Sequence, residues 1–257
     1  MNRLISLARR GRGLVLPLLL IAAWDIASRQ GASQAYAFVP LERIGQGLVE
    51  LLASGELWLS VQASLQRTCL GLLFGVLAGF ALGAGMASSR WLERLFAPLF
   101  HGLRQVPILG LIPLLALWFG SGEATKVLIV SLAAFYPVTL NAFEGFSHVE
   151  KRYREVGRLY ALSPWQQFAQ ILLPGALPSL CNGVLHALAF AWVSSVGSEL
   201  FLSTGMGLGN LMMNAETGSR MEVIVIGVLC IGLLGYAMNQ LFSRLSRHLL
   251  RWRALRR

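Results

Sequence analysis

The sequence predicts an all-helical protein that crosses a membrane about six times. Of its 257 residues, 55% are hydrophobic and only 13% are charged, whereas a soluble domain normally carries about a quarter charged residues. The apolar residues form runs long enough to cross about 30 Å of hydrocarbon. The basic residues that give a net charge of +10 lie between these runs, which is typical of membrane-flanking segments and not of a nucleic-acid-binding surface.

Six segments are predicted to span the membrane. They are residues 14–28, 64–87, 96–119, 124–146, 179–202 and 223–245. The first follows four arginines and resembles a signal peptide, but Trp24 and Asp25 interrupt a cleavage site, so we expect it to be retained. The third contains Arg104, Pro107 and Pro113, which predict a kink or a break.

The placement of lysine and arginine predicts that both termini are cytosolic. With this orientation sixteen basic residues lie on the cytosolic side and five on the other side, as the positive-inside rule requires. The external part includes residues 41–52, whose apolar spacing favours an amphipathic helix at the membrane interface over a plain loop. We expect one membrane domain over residues 1–257, with a core at about 60–246.

A glycine stripe marks the second span. Gly71, Gly75, Gly79 and Gly83 recur every four residues, so they share one slowly turning face of a helix. Such faces let another helix backbone approach closely in lipid. Packing within one chain is favoured over packing between chains.

No motif predicts a catalytic, nucleotide or metal site. The stretch 120–126, GSGEATK, lacks the glycine that precedes the lysine of a phosphate-binding loop, and the stretch 205–209, GMGLG, is interpreted as a flexible external turn. The three cysteines lie inside apolar runs without paired spacing. We therefore expect no cofactor bound by this chain.

Polar residues within the spans are candidates for a translocation pathway, because ionisable groups in a membrane are costly. The candidates are Arg104, Ser194, Ser195, Ser198 and Glu199. Arg104 has the alternative of reaching the cytosolic interface. The cluster around Glu199 has the alternative of hydrogen bonding between helices.

The cytosolic segment 150–178 is predicted to form a helix, a turn and a second helix. Residues 150–160 are compatible with a helix. Ser163 can cap the second helix, Pro164 fits its first position and Gln166 completes a capping box.

Pro174 and Pro178 are expected to end that second helix. A helix–turn–helix between two spans suggests a docking surface for a cytosolic partner. An interfacial loop is the alternative.

The same segment resembles a known family. The stretches 155–161, EVGRLYA, and 171–178, ILLPGALP, are similar to the E-A-A-x-x-x-G…I-x-L-P loop of ABC importer permeases. In this sequence alanine replaces the usual loop glycine at Ala161, and Gly157 stands where a small alanine is usual. The residues that the resemblance assigns to an ATPase-coupling loop are Glu155, Gly157, Ala161, Leu162, Ser163, Pro164, Leu173 and Pro174.

A second set of stretches narrows the resemblance. Residues 104–107, 111–114, 117–120 and 122–126 read RQVP, LIPL, LWFG and GEATK. They are similar to the permeases for aliphatic sulfonates, taurine and nitrate, and most similar to the aliphatic-sulfonate group.

The resemblance implies a type I ABC importer permease of the bacterial inner membrane that moves a small anion, an aliphatic sulfonate first and taurine or nitrate as alternatives. It also implies partners: a second permease copy in a homodimer, ATPase subunits that bind ATP and Mg on the cytosolic face, a periplasmic or extracellular solute-binding protein, and lipid. Nucleic acid is not an expected partner. A secondary carrier without an ATPase is the rival hypothesis.

Overall fold

The computed structural model describes residues 15–16, 19–29, 38–202 and 204–254, and this part of the chain contains helices and no strand. The predicted all-α class is confirmed. The helices are α1 (Leu19–Ser28), α2 (Leu41–Ala53), α3 (Glu56–Ser88), α4 (Arg90–Leu103), α5 (Ile108–Phe119), α6 (Glu123–Ser147), α7 (Lys151–Leu159), α8 (Pro164–Gln167), α9 (Leu173–Phe201), α10 (Leu208–Thr217), α11 (Met221–Leu249) and α12 (Arg251–Ala254).

Four helices of the described residues are long and apolar enough to cross a membrane: α3, Pro164–Phe201, α6 and α11. The pair α4 and α5 qualifies as a fifth span, but it is bent by 99°, so the predicted interruption of the third segment is confirmed. Among the described residues, helix α1 covers Leu19–Ser28, a stretch shorter than a membrane span. The N-terminal arginines and part of the predicted first segment lie outside the described residues.

The prediction that Pro174 and Pro178 end a helix is wrong, since helix continues from Pro164 to Phe201. A proline inside a helix clashes with the carbonyl group four residues earlier. Between α8 and α9 lies a π-helical segment, Phe168–Leu172, in which the N–H of Leu173 donates to the carbonyl of Phe168, five residues back. This wider turn relieves the clash at Pro174, because the carbonyl of Gln170 lies within it.

The chain divides into two compact units. One contains residues up to 58 together with 211–229, and the other contains residues 59–210 and 230–257. In the first unit Arg220 joins two elements, because its guanidinium lies 2.7 Å from Glu50 of α2 and 3.1 Å from Glu222 of α11. Hydrogen bonding to Glu222, together with the charges of both glutamates, raises the pKa of Arg220.

Helix packing in the second unit centres on α6 and α9. Their facing side chains form a core of small and β-branched residues: Val130, Ala134, Val138, Ala187 and Ala191. The glycine stripe of α3 lies against α6. A Cβ atom on Gly75 or Gly83 would lie 2.5 Å from the carbonyl oxygen of Ser131 or Thr139, so these glycines permit a backbone approach that no other residue would allow.

Candidate functional site

The segment 150–178 folds as two helical pieces around Gly157. Gly157 is buried in α7, where a Cβ atom would lie 2.6 Å from the Cδ1 atom of Ile171. The side-chain amide of Gln167 donates to the carbonyl of Leu162 at 3.1 Å. The small residue at position 157 therefore sets how closely α7 lies against the π-helical segment.

The turn after α7 contains the unusual Ala161. Its φ of 51° lies in the left-handed region, which costs a residue with a Cβ atom roughly 1–2 kcal/mol. The N–H of Leu162 donates to the carbonyl of Gly157 at 3.0 Å. The turn thus adopts a glycine-like conformation even though alanine occupies it.

The predicted capping box is present. The hydroxyl of Ser163 accepts from the N–H of Gln166 at 3.3 Å, and the N–H of Ser163 donates to the side chain of Gln166 at 2.8 Å. Pro164 occupies the first turn, where its absent N–H costs no hydrogen bond. Leu173 and Pro174 begin α9, where the segment 150–178 joins the rest of the span Pro164–Phe201.

Apolar side chains on this segment face outward. Val156, Leu159, Tyr160 and Trp165 are 47%, 85%, 78% and 72% exposed, and Glu155 beside them is also exposed. We call these five residues the loop patch. Large apolar groups clustered on one exposed surface mark an interaction site.

A charge cluster, not predicted from the sequence, lies among α3, α6 and α9, and it is buried except for Glu123, whose side chain is 58% exposed. Arg67 forms ion pairs with Glu199 and with Glu123, the latter at 2.7 Å. The side chains of Arg67 and Glu199 are 2% and 0% exposed. Lys126 is fully buried, 3.6 Å from Glu123, and the Ser64 hydroxyl donates to Glu199 at 2.8 Å. These five residues, the charge cluster, include two basic and two acidic side chains, so the formal charges of the group balance.

The segment 204–209 closes over the charge cluster. The N–H of Gly209 donates to Glu199 at 2.8 Å, and a Cβ atom on Gly207 would lie 2.5 Å from the Glu199 carboxylate. The carbonyl oxygens of Thr204 and Met206 accept from Lys126 and Arg67. The interpretation of the glycine-rich turn as a flexible external turn is therefore incomplete, because its backbone satisfies buried charges.

The polar residues predicted for a pathway divide between two environments. Ser195, Ser198 and Glu199 are fully buried within the second unit, and Glu199 is engaged in the charge cluster. Ser194 instead lines a cavity together with Arg104. The structure thus favours hydrogen bonding between helices as the role of Glu199. Arg104 and Ser194 border the same cavity.

Arg104 lies at the break between α4 and α5 and lines two adjoining cavities of about 350 and 310 Å³. All twelve acidic residues of the chain are described, and none forms an ion pair with Arg104. In the described part of the chain, no group of three or more His, Cys, Asp or Glu residues could hold a metal ion.

A sequence signal for the charge cluster does exist. Ser64 and Arg67 are three residues apart, as are Glu123 and Lys126, and residues at this spacing share one face of a helix. Each pair lies at the start of an apolar run. The spacing marks two polar helix faces, but it does not reveal that they meet.

Comparison with known proteins identifies relatives over most of the chain. Residues 71–254 match the family described as binding-protein-dependent transport system inner membrane component. The chain is 34% identical to the putative aliphatic sulfonates transport permease protein of Bacillus subtilis (strain 168), over 94% of this chain and 87% of that protein. The corresponding Escherichia coli (strain K12) protein is 35% identical over 92% and 90%. The taurine transport system permease protein of the same strain is 29% identical over 92% of this chain and 87% of that protein.

Solved structures share the fold. An amino acid ABC transporter with histidines matches with a TM-score of 0.61 at 17% identity, over 79% of this chain and 97% of that one. The methionine ABC transporter MetNI in an inward-facing conformation matches with a TM-score of 0.58 at 20% identity, over 74% and 96%. The predicted fold of an ABC importer permease is confirmed.

Proposed function

The chain belongs to the family of binding-protein-dependent transport system inner membrane components, and on that premise we propose that it carries an aliphatic sulfonate through the membrane as the permease subunit of an ATP-driven importer. Relatives named for aliphatic sulfonates are 34% and 35% identical to it. Taurine and nitrate are the alternative substrates, since permeases named for these are also similar.

The proposal of a separate ATPase partner rests on the loop patch. Its apolar side chains are turned away from the helix contacts that bury Gly157, and Glu155 adds a charge at the edge. A surface of this kind fits a groove on a second protein. ATP and Mg would then bind to that partner, whose closure would reach α9 through the π-helical segment.

Further partners follow from the family. We propose a homodimer of this chain with two ATPase subunits on the cytosolic face and a solute-binding protein on the other face, in a bacterial inner membrane. The distribution of basic residues supports a cytosolic location for both termini in this proposal.

Co-purification tests the proposed partner. The tagged chain, purified in mild detergent from its own cells, should bring a stoichiometric ATPase, and Glu155→Lys or Leu159→Ser should release that ATPase. The reason is that both substitutions alter exposed loop-patch residues without touching buried packing. Subunit ratios and ATP-dependent uptake of an alkanesulfonate into vesicles provide the measurements.

The matched control is Glu216→Lys, which places the same charge change on an exposed residue at the end of α10. It should leave ATPase association unchanged. Isolation of the chain alone, combined with uptake that does not require ATP, would favour a secondary carrier instead.

A further inference from the structure

We propose that the two cavities around Arg104 form one binding site for an amphipathic anion, with the anionic head at Arg104 and the alkyl chain in the apolar cavity. This Arg104 site rests on the proposed transport function and specifies where within the permease the substrate is held.

The two cavities are continuous in their lining. Both are bordered by Arg104, Tyr136, Pro137 and Phe190. Their volumes, about 350 and 310 Å³, each fall at the small end of the range for ligand pockets. A ligand that occupies both must be polar at one end and apolar at the other, because the two linings differ.

The smaller cavity supplies hydrogen-bond donors and positive charge. Besides Arg104 it is lined by Gln105, Asn141 and His186. No acidic residue lines either cavity, so an entering anion meets no like charge. A guanidinium binds a sulfonate or carboxylate through two parallel N–H groups.

The larger cavity is mostly hydrocarbon. Apart from the shared residues and Ser194, its lining comes from Val106, Pro107, Ile108, Leu109, Ala133 and Val193. An alkyl chain placed there would lose contact with water, a gain of about 0.8 kcal/mol for each buried CH₂ group.

Arg67 of α3 and Arg104 at the break after α4 differ in a way that selects Arg104. Arg67 is 2% exposed and its charge is neutralised by Glu123 and Glu199. Arg104 is exposed and is paired with no carboxylate of the chain. An arginine at membrane depth that lacks an internal partner requires water or a ligand.

The depth of the Arg104 site agrees with a place on the path across the membrane. Tyr136 is near the middle of α6, thirteen residues after Glu123, and His186 is near the middle of α9, thirteen residues after Leu173. Non-helical backbone such as that between α4 and α5 is tolerated at this depth where it lines a cavity.

Equilibrium binding of radiolabelled alkanesulfonates to the full-length chain in phosphatidylcholine nanodiscs tests the inference. Hexanesulfonate should bind saturably, and Arg104→Gln should weaken its binding at least about tenfold, the loss expected for a charge-assisted hydrogen-bonded pair. The control Arg94→Gln removes an exposed arginine of α4 that lines a different cavity and should leave the affinity within about twofold.

A chain-length series tests the apolar cavity. From methanesulfonate to hexanesulfonate the affinity should rise by about two- to fourfold per methylene. The double variant Val106→Thr/Val193→Thr, which keeps the shape of the side chains and adds hydroxyl groups, should flatten this rise and leave methanesulfonate unaffected. Equal affinity along the series in the unmodified protein would overturn the assignment of the tail.

Anionic lipid offers the same chemistry and is distinguished by a second nanodisc composition. Saturable sulfonate binding in neutral discs that depends on Arg104 supports the inference. An Arg104-dependent retention of phosphatidylglycerol, without any sulfonate binding in neutral discs, overturns it in favour of a lipid site.

Failure of this inference and failure of the proposed function give different results. If Arg104→Gln leaves sulfonate binding unchanged while ATPase association and uptake stay intact, only the proposed Arg104 site is excluded. If the unmodified protein brings no ATPase with it and shows no ATP-dependent uptake, the proposed function itself is excluded.

Discussion

Individual residues matter most where charge is removed from water. Arg67 and Glu199 are almost completely buried, and the hydroxyl of Ser64 and the N–H of Gly209 both donate to the Glu199 carboxylate. Breaking a buried ion pair by removing one partner leaves an uncompensated charge, which costs more than losing the pair altogether. The charge cluster therefore joins α3, α6 and α9 in an arrangement that tolerates paired changes better than single ones.

Arg67→Gln should lower the free energy of unfolding by about 3–5 kcal/mol, because Glu199 would be left buried without its principal partner. Glu199→Gln should be milder, since Arg67 retains Glu123 at 2.7 Å. The double variant should recover part of the loss. Thermal unfolding of the purified chain in detergent measures all three.

Arg29→Gln is the control, because its ion pair with Asp25 is exposed and exposed pairs contribute little. It should unfold at the temperature of the unmodified chain. Additive effects of Arg67→Gln and Glu199→Gln in the double variant would show that the two residues do not interact.

Among the elements, helix α3 owes its position to glycines, which carry no side chain on the face that packs against α6. Its four stripe glycines lie along α6, and at each of them a Cβ atom would come within 2.8 Å of α6 atoms. Without side chains on this face, the two backbones pack at a distance that van der Waals contact makes favourable in lipid. The predicted alternative of packing between chains is not needed to explain the stripe.

Gly75→Ala and Gly83→Ala should each destabilise the chain by about 1–3 kcal/mol. The added methyl group would lie 2.5 Å from a carbonyl oxygen of α6, and backbone cannot move aside as a side chain can. Melting temperature in detergent, followed by size-exclusion fluorescence, reports the change.

Gly102→Ala in α4 provides the comparison, because no atom lies within 4 Å of the added methyl group. Alanine also favours the helix there by roughly 1 kcal/mol. A melting temperature for Gly75→Ala equal to or above that for Gly102→Ala would contradict the packing of the stripe.

For the whole molecule, function depends on which ends face the cytosol. In the proposed function, the loop patch can meet an ATPase only if it faces the cytosol. Positive-inside distribution favours this arrangement, with the turn between α10 and α11 on the opposite side.

Cysteine accessibility tests the orientation. In a background without Cys69, Cys181 and Cys230, Thr217→Cys should react with a membrane-impermeant maleimide in intact spheroplasts, whereas Arg251→Cys should react only after the membrane is opened. Both positions are exposed, so their labelling reports sidedness and not burial. Labelling of Arg251→Cys in intact spheroplasts would invert the proposed topology.

Local sequence determined much of this protein. Apolar runs gave the spans, four-residue glycine spacing gave the packing face of α3, and the pattern around Ser163 gave the capping box, since each depends on residues within one or two helical turns. Resemblance to permease motifs added the family and the coupling segment.

Tertiary structure decided the rest. Ser64 meets Glu199 across 135 residues and Arg67 meets Glu123 across 56, contacts that no local pattern encodes because helix packing alone sets which faces meet. The passage of helix through Pro174 depends on a wider π-helical turn, and the two cavities at Arg104 depend on the 99° bend between α4 and α5. The sequence supplied charged and apolar side chains at known helical spacings, and the packing of helices distant in sequence determined which of these charges meet, as Arg67 meets Glu199, and which, like Arg104, border a cavity without an acidic partner.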